Sequence, residues 1–288
     1  MDYLELAIKA ARLAGKIHKK YFQKQFTVKT KSSPFDLLTI ADTEAEKAVT
    51  ALIKKNFPEH NILAEENSYP KTESEYTWII DPLDGTNNFA SGFPIFCASV
   101  ALSFKEEVIV GAVFDVTRNE LFYAQKNKGA YLNSKPNKLG NIMKPNKLGN
   151  YTNVVCRFIG KRIKVSPARA LKESIIITGF YYNRGRKMVT ALGAVKRFLL
   201  KGVLGVRRLG AAALDLCYVA SGRAAGFWEF ELSPWDFAAG KLIIEEAGGR
   251  VTGRRQEKIP LSKRYFIVAS NGLIHKQMLD VINDKKKA

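Results

Sequence analysis

The chain of 288 residues is 46% hydrophobic, which is enough apolar material for a large core in one domain or in two tightly packed halves. Its formal net charge of +19 would attract anions such as phosphorylated metabolites, nucleic acid or acidic membranes, but the basic residues are scattered, so we interpret most of them as a solvated surface. No apolar run is long enough to span a membrane, and acidic residues stand where a signal peptide needs basic ones. The sequence therefore predicts a soluble, cytoplasmic protein.

The first half of the chain reads as two helices followed by strands. Apolar residues repeat at helical spacing from Tyr3 to Tyr21, which predicts an amphipathic helix packed on a core. A second helix is predicted to start near Asp42. Short apolar strands are predicted at residues 77–80, 98–104, 108–114 and 120–124.

The second half opens with a predicted strand at residues 175–178. Helices are predicted at residues 188–200, 211–220 and 235–246, and Gly248-Gly249 should end the last of them with a left-handed cap. Because strands and helices mix in both halves, the sequence predicts an α+β or α/β layered fold.

A repeated loop interrupts this order. The sequence KPNKLGN occurs at residues 135–141 and again at 144–150, and two copies cannot build a solenoid. The Pro, Asn and Gly content predicts a loop, so we interpret residues 134–159 as a basic surface insertion, with an anion-holding flap as the alternative. We expect an N-terminal half, residues 1–174, and a C-terminal half, residues 175–288.

The cysteines and histidines do not indicate a metal site. The chain has three cysteines, far apart and without a CxxC pair, which we interpret as buried thiols in a reducing compartment: Cys97, Cys156 and Cys217. The three histidines are equally isolated, so we expect them in the core or on the surface rather than on a metal. No Cys or His nucleophile stands in a phosphatase-type motif.

The strongest chemical signal is the segment WIIDPLDGTNNF at residues 78–89. An apolar strand delivers Asp81 at its end, and Asp84 follows three residues later. A tight turn of this spacing would aim both carboxylates and the Leu83 carbonyl at one point, and hard cations such as Mg²⁺ prefer such oxygen ligands. The next residues, Gly85-Thr86, would open a helix whose free N–H groups receive a phosphate.

Two further acidic features occur elsewhere in the chain. The pair Glu65-Glu66 follows a short apolar segment, and Asp236 falls in the first turn of a predicted helix. Taken alone, the pair is more simply a solvated turn and Asp236 a helix cap. Their occurrence together with the segment around Asp81 favours a shared metal site.

These segments resemble the inositol monophosphatase family, within the wider group of lithium-sensitive phosphatases and fructose-bisphosphatases. Residues 81–86, DPLDGT, match the D-P-x-D-G-T motif of that family, and residues 235–240, WDFAAG, match its W-D-x-A-A-G motif. The segments at 31–39, 65–66 and 210–216 fall in family order. The resemblance covers nearly the whole chain except residues 134–159, and residues 178–184 are similar to prokaryotic members.

The resemblance implies an αβαβα sandwich of the sugar phosphatase type, assembled as a homodimer. It also implies a site with two or three Mg²⁺ ions, whose ligands are Glu65, Asp81, the Leu83 carbonyl, Asp84 and Asp236. The implied catalytic residues are Glu65, Thr86 and Asp84, of which Glu65 and Thr86 orient and deprotonate the attacking water. The implied phosphate and substrate contacts are Gly85, Thr86, Gly210, Ala212, Glu229 and Asp236.

The sequence leaves the substrate open. A Mg²⁺-dependent phosphatase of this kind acts on a small phosphate monoester, with inositol 1-phosphate as the first expectation and fructose 1,6-bisphosphate as the second. 3′-Phosphoadenosine 5′-phosphate and histidinol phosphate come after these. The rival from another class is a nucleic-acid-binding protein on the same fold, which the net charge suggests but no RNA-binding signature supports.

Overall fold

The computed structural model of the chain describes residues 1–25, 27–31, 37–133, 160–180 and 185–284. Within these residues the helices are α1 (Tyr3–Tyr21), α2 (Ile40–Asn56), α3 (Thr86–Ala90), α4 (Arg186–Leu200), α5 (Ala212–Ala220), α6 (Pro234–Glu246) and α7 (His275–Asn283). The strands are β1 (Val28–Thr30), β2 (Leu37–Thr39), β3 (Asn61–Ala64), β4 (Tyr76–Asp84), β5 (Cys97–Phe104), β6 (Glu107–Asp115), β7 (Glu120–Gln125), β8 (Gly129–Asn133), β9 (Lys161–Arg162), β10 (Ile175–Thr178), β11 (Gly205–Arg207), β12 (Gly226–Leu232), β13 (Arg250–Thr252) and β14 (Tyr265–Ser270).

Two large sheets form the framework. The first has seven strands in the order β3-β4-β5-β6-β7-β8-β9, and the second has five strands in the order β11-β10-β12-β14-β13. Helices α1 and α2 pack on the outer face of the first sheet, α5 and α6 lie between the sheets, and α4 and α7 cover the outer face of the second. The layers therefore follow the order αβαβα, which confirms the predicted fold class.

Neighbouring residues of the central strands enter different cores. On β4, Ile79 packs with α5 and α6, whereas Ile80 packs with α1 and α2. On β10, Ile177 faces the middle helix layer and Ile176 faces α4 and α7. Because side chains alternate across a strand, a strand that is apolar on both faces needs a helix layer on each side.

The structure agrees with most of the predicted helices. Helix α2 begins at Ile40, two residues before the predicted start at Asp42, because Thr39 is the N-cap and Asp42 completes a capping box with it. Helix α6 ends as predicted. The Gly249 N–H bonds to the Ile244 carbonyl at 2.9 Å, and Gly248 has a φ of 91°, as in a Schellman cap.

The chain around Asp81 differs from the prediction of a strand that ends in a tight turn. Strand β4 continues through Asp84, paired antiparallel with β5, and a β-bulge lies between Asp81 and Asp84. Pro82 fits at this bulge because its missing N–H is not needed for the ladder. The extra pairing with Ser99 and Cys97, distant in sequence, is what keeps the segment extended.

Some predictions fall outside what the structure describes. The insertion at 134–159, Cys156 and residues 181–184 lie outside the described residues. The predicted boundary at residue 174 falls between β9 and β10, and the division into two halves stays a prediction. In the described part of the chain, Cys97 and Cys217 are buried free thiols, and no helix is long and apolar enough to cross a membrane.

Candidate active site

A cleft opens where β4, β10 and β12 end against the first turns of α5 and α6. Of the ten residues expected at the site, six line this cleft: Glu65, Asp84, Gly210, Ala212, Glu229 and Asp236. The other four adjoin it on β4 and at the start of α3: Asp81, Leu83, Gly85 and Thr86. The fold thus brings together residues that are up to 171 positions apart in the sequence.

The bulge in β4 is held in shape by local hydrogen bonds. Asp81 is 2% exposed, and its Oδ1 accepts a hydrogen bond from the Leu83 N–H at 3.0 Å. The Pro82 carbonyl accepts a hydrogen bond from Nε2 of the buried His18 at 2.7 Å. His18 thereby links α1 to the segment that carries the expected metal ligands.

Asp84 joins the first sheet to helix α5 of the middle layer. Its Oδ1 accepts a hydrogen bond from the Ala212 N–H at 3.1 Å, and its Oδ2 accepts one from the Ala213 N–H at 2.7 Å. These are free N–H groups of the first turn of α5, where the helix dipole favours a negative charge. The carboxylate of the first sheet is therefore fixed by a helix that belongs to the middle layer.

Asp236 and Glu65 both line the cleft, and each has a hydrogen-bond partner of its own. Asp236 Oδ2 accepts a hydrogen bond from the Ser233 N–H at 2.7 Å, so this residue is a helix cap as well as a cleft residue. Lys31 bridges the acidic pair, with its Nζ 2.8 Å from Glu65 Oε1 and 2.6 Å from Glu66 Oε1. An ammonium group thus lies where two carboxylates converge.

Thr86 is paired with an acid that the sequence analysis did not single out. The Thr86 hydroxyl is 2.8 Å from Asp42 Oδ1 and 2.9 Å from the Leu83 carbonyl. Asp42 is buried at the start of α2, and its other oxygen accepts hydrogen bonds from Thr39. Burial raises the pKa of Asp42 to about 6.

The acids of the cleft raise one another's pKa values. Burial raises the pKa of Asp81, and the charges of Glu65, Asp84 and Asp236 raise it further. Burial and the charges of Glu65 and Asp84 likewise raise the pKa of Asp236, while burial raises that of Asp84 to about 6. Several carboxylates therefore share a low-dielectric space with too little positive charge to balance them.

The donor set fits Mg²⁺ in its chemistry, because this hard cation prefers carboxylate and carbonyl oxygens. Among the described residues, no three Asp, Glu, His or Cys side chains form a ready-made metal-binding group. Each of the four acids turns an oxygen toward an N–H or ammonium group. The second oxygens of Asp81 and Asp236 accept no hydrogen bond from the described residues and remain available to a hard cation.

Glycines keep the substrate side of the cleft open. Gly85 has a φ of 91° as the N-cap of α3, and a Cβ there would lie 3.0 Å from the Ile95 carbonyl oxygen, so other residues are strained at this position. A Cβ on Gly179 would overlap the Glu229 carboxylate. Burial raises the pKa of Glu229 to about 8.

Sequence reasoning missed several residues that surround the cleft. Asp42 contacts Thr86, which is 44 positions away, and His18 contacts Pro82, which is 64 positions away. No local motif marks either residue. Arg208 and Arg264 also line the cleft, and Arg264 Nε donates to Ser233 Oγ at 3.0 Å. In a chain with 46 lysines and arginines, no signal in the sequence sets these two arginines apart.

The match to a family model decides the family of this chain. The model of the inositol monophosphatase family matches residues 2–287. The chain belongs to the inositol monophosphatase family. The resemblance seen in the two sequence motifs is thereby confirmed, and the αβαβα layers are those expected of this family.

Relatives of known name extend the comparison. A relative from Haemophilus influenzae, "Nus factor SuhB", is 36% identical over 281 residues, which are 97% of this chain and 95% of the relative. "Inositol-1-monophosphatase" from Synechocystis is 36% identical over 277 residues, or 96% and 87% of the two chains. The solved structure of the Thermotoga maritima IMPase matches with a TM-score of 0.82 at 33% identity. The match covers 98% of this chain and 97% of that structure's chain.

Proposed function

We propose that this protein is a Mg²⁺-dependent phosphatase that hydrolyses a small sugar or polyol phosphate, with inositol 1-phosphate as the first candidate. The observation that carries the proposal is a cluster of carboxylates with raised pKa values, the buried Asp81 and Asp84 and the half-buried Asp236, beside the Thr86–Asp42 pair. A protein that only bound a partner would gain nothing from burying unbalanced acids together.

We assign the metal ligands to acids that line the cleft and to the β4 segment beside it. Glu65, Asp81 and the Leu83 carbonyl would hold one Mg²⁺, and Asp81, Asp84 and Asp236 a second, with a third near Glu65. Bound Mg²⁺ would neutralise charge on the phosphoryl oxygens and lower the pKa of a coordinated water. Lys31 contributes an internal positive charge to Glu65 and Glu66.

The protein's own groups would orient the attacking water. The Thr86 hydroxyl donates a hydrogen bond to Asp42, so its oxygen can accept one from the attacking water. As the Thr86 oxygen takes a proton from that water, the hydroxyl proton of Thr86 would pass to the Asp42 carboxylate. This frees the Leu83 carbonyl to face the cleft. Glu65 and Asp84, at the cleft wall, are the other candidates for moving this proton. No phosphoenzyme is required.

The substrate would lie between α3, α5 and β12. The N–H groups of Gly85 and Thr86 would receive the phosphate, and Gly210 and Ala212 would line the pocket. Glu229 would bind hydroxyl groups of the substrate, because a carboxyl group in either protonation state forms hydrogen bonds with them. Asp236, which also lines the pocket, would contact both a metal and the substrate.

Phosphate release from a panel of substrates tests this function. Inositol 1-phosphate, fructose 1,6-bisphosphate, 3′-phosphoadenosine 5′-phosphate and histidinol phosphate should be compared with Mg²⁺ and with chelator. Mg²⁺-dependent release supports the proposal and ranks the substrates. A folded protein that releases phosphate from none of them would contradict it.

Nucleic-acid binding is a second candidate function. The chain carries a net charge of +19, an exposed groove is lined by Arg254, Arg255 and Lys276, and the relative from Haemophilus influenzae is named a Nus factor. Binding of this kind should weaken steeply with salt. RNA affinity measured at several salt concentrations, with an Arg254→Ala, Arg255→Ala double variant, tests it, and affinity unchanged by the double variant would exclude this groove.

We also infer that the protein acts as a cytoplasmic homodimer. The buried free thiols Cys97 and Cys217 suit a reducing compartment. Helix α4 and the chain after it expose five large apolar side chains that a second copy could cover: Val189, Leu192, Leu199, Leu200 and Leu204. In sedimentation velocity, Leu192→Glu should shift the protein to monomer, whereas Leu273→Glu, at an exposed leucine elsewhere, should not.

A further inference from the structure

Arg208 is a charged side chain of the cleft that the proposed reaction does not use. It is exposed, it lines the cleft, and it makes no hydrogen bond or ion pair with any residue that the structure describes. Its neighbour Arg207 is also exposed, but the Nη1 of Arg207 bonds to the Val206 carbonyl and the side chain does not line the cleft. The two adjacent arginines thus differ in their access to a bound substrate.

The backbone holds Arg208 in a defined place beside the phosphate position. The guanidinium lies over Gly210, whose φ of 92° and missing Cβ leave room for it. The Gly210 carbonyl on the other side approaches Gly85, the N-cap of α3. Asn88 of α3 donates a hydrogen bond to the Leu209 carbonyl at 2.8 Å, which ties the segment carrying Arg208 to α3.

The cleft therefore offers three different groups to a substrate. The N–H groups at the start of α3 suit the phosphate that is hydrolysed, and Glu229 suits hydroxyl groups. Arg208 suits an anion, since a guanidinium binds phosphate or carboxylate oxygens with charge-assisted hydrogen bonds. Burial raises the pKa of Glu229 and the charge of Arg208 lowers it, so the guanidinium already faces one carboxyl group of the cleft. A substrate with a single phosphate would bring no second anion to it.

We propose that Arg208 binds a second anionic group of the substrate, a phosphate or a carboxylate remote from the reacting phosphate. This rests on the proposed phosphatase function and narrows its substrate class to sugar or polyol phosphates that carry another anion, which places fructose 1,6-bisphosphate ahead of inositol 1-phosphate. Arg208 then determines specificity, and the reaction itself still depends on the carboxylates of the cleft.

Pairs of substrates that differ in one group test this assignment. Fructose 1,6-bisphosphate and fructose 1-phosphate differ only in the second phosphate, while 6-phosphogluconate and glucitol 6-phosphate differ only in a carboxylate. We expect kcat/KM to be higher for the doubly anionic member of at least one pair. Arg208→Met should lower kcat/KM for that member about 10- to 100-fold, the range of one charge-assisted hydrogen bond, and lower it for its partner less than about threefold.

The neighbouring arginine supplies the control. Arg207→Met removes the same charge one residue away and should leave all four substrates unchanged, whereas Arg208→Lys should restore part of the preference. The pair that responds to Arg208→Met identifies the second anion as phosphate or carboxylate.

The outcomes separate this inference from the proposed function. Equal losses for both members of each pair would mean that Arg208 contacts the reacting phosphate, and no loss for any substrate would mean that it contacts neither anion. Either result would contradict the proposal that Arg208 binds a second anion of the substrate, and neither would contradict the phosphatase function. Absence of phosphate release from every substrate by the folded wild-type protein would instead contradict the phosphatase function.

Discussion

The hydroxyl of Thr86 lies 2.8 Å from Asp42 Oδ1, across a separation of 44 residues in the chain. The contact joins the first turn of α3 to the first turn of α2, beside the bulge that carries Asp81 and Asp84. A second oxygen of Asp42 is already held by Thr39, so the carboxylate presents a fixed lone pair to Thr86. A proton acceptor held by two helix starts has little freedom to move during a reaction.

Replacing Asp42 with Asn should therefore slow the reaction without removing the metals. The amide cannot accept a proton, and we expect kcat to fall by about 10²- to 10⁴-fold, the usual contribution of a general base. The Mg²⁺ dependence of the melting temperature should persist. Phosphate release and thermal melts of the variant check both parts.

Two further variants sharpen this prediction. Thr86→Ser keeps the hydroxyl and should retain most activity, whereas Thr86→Ala should resemble Asp42→Asn. Asp115→Asn is a matched control, because Asp115 is also fully buried but bonds to Thr117 and Arg118 away from the cleft. Wild-type turnover in Asp42→Asn would show that Asp42 has no part in the reaction.

Replacing Asp81 with Asn should abolish activity and leave the fold intact. The change removes the carboxylate that both proposed Mg²⁺ ions share, while the Leu83 N–H keeps an oxygen partner. We expect no Mg²⁺-dependent phosphate release and little Mg²⁺-induced rise in melting temperature. In chelator at pH 8 the variant should melt no lower than the wild type, since it buries one negative charge fewer. Near-wild-type turnover would refute the assignment of Asp81.

The stability of the metal-free protein should fall as the pH rises. The pKa values of Asp84 and Glu66 in the folded protein are about 6 and about 8, above the values of 3.8 and 4.5 for free side chains. At a pH between the free and the folded pKa values, the folded state binds more protons than the unfolded state. The stabilisation present at low pH is therefore lost as the pH rises through the pKa values of the folded protein. Bound Mg²⁺ would offset the repulsion.

Thermal melts between pH 6.5 and 8 measure this effect. Burial lowers the pKa of His18 to about 4, so this residue destabilises the fold mainly below pH 6.5. Between pH 6.5 and 8, the change in stability therefore comes mainly from the carboxylates. In chelator the melting temperature should fall across the window, and the rise caused by Mg²⁺ should grow. A Mg²⁺ effect that is constant from pH 6.5 to 8 would argue against metal binding by these acids.

Removing part of the insertion should leave the proposed site working. Leu132 on β8 pairs with Lys161 on β9, so the two ends of the insertion are adjacent in the sheet and a shorter loop can join them. Deletion of residues 134–150 should keep the melting temperature and Mg²⁺-dependent phosphate release close to those of the full chain. A folded deletion variant that binds Mg²⁺ but is inactive would reveal a function for the loop.

The sequence predicts the elements whose signals are local. The repeat of apolar residues in α1, the strand at Ile175–Thr178 and the glycine cap of α6 all agree with the structure, because each depends on neighbours a few residues away. The segment from Asp81 to Asp84 does not form the predicted tight turn, because its pairing with β5 overrides the turn tendency of Pro82. Asp42 and Arg208 could not be predicted from spacing, because their positions depend on contacts between distant segments.

The hydrogen bonds from Ala212 and Ala213 to Asp84 have a consequence for how the protein is made. Asp84 meets the Ala213 N–H across 129 residues of sequence. During synthesis, the first sheet can emerge and pair while this carboxylate still lacks its helix, and Asp236 leaves the ribosome later still. The proposed metal site would thus be complete only when nearly all of the chain has been released, so a nascent or truncated chain would lack part of it.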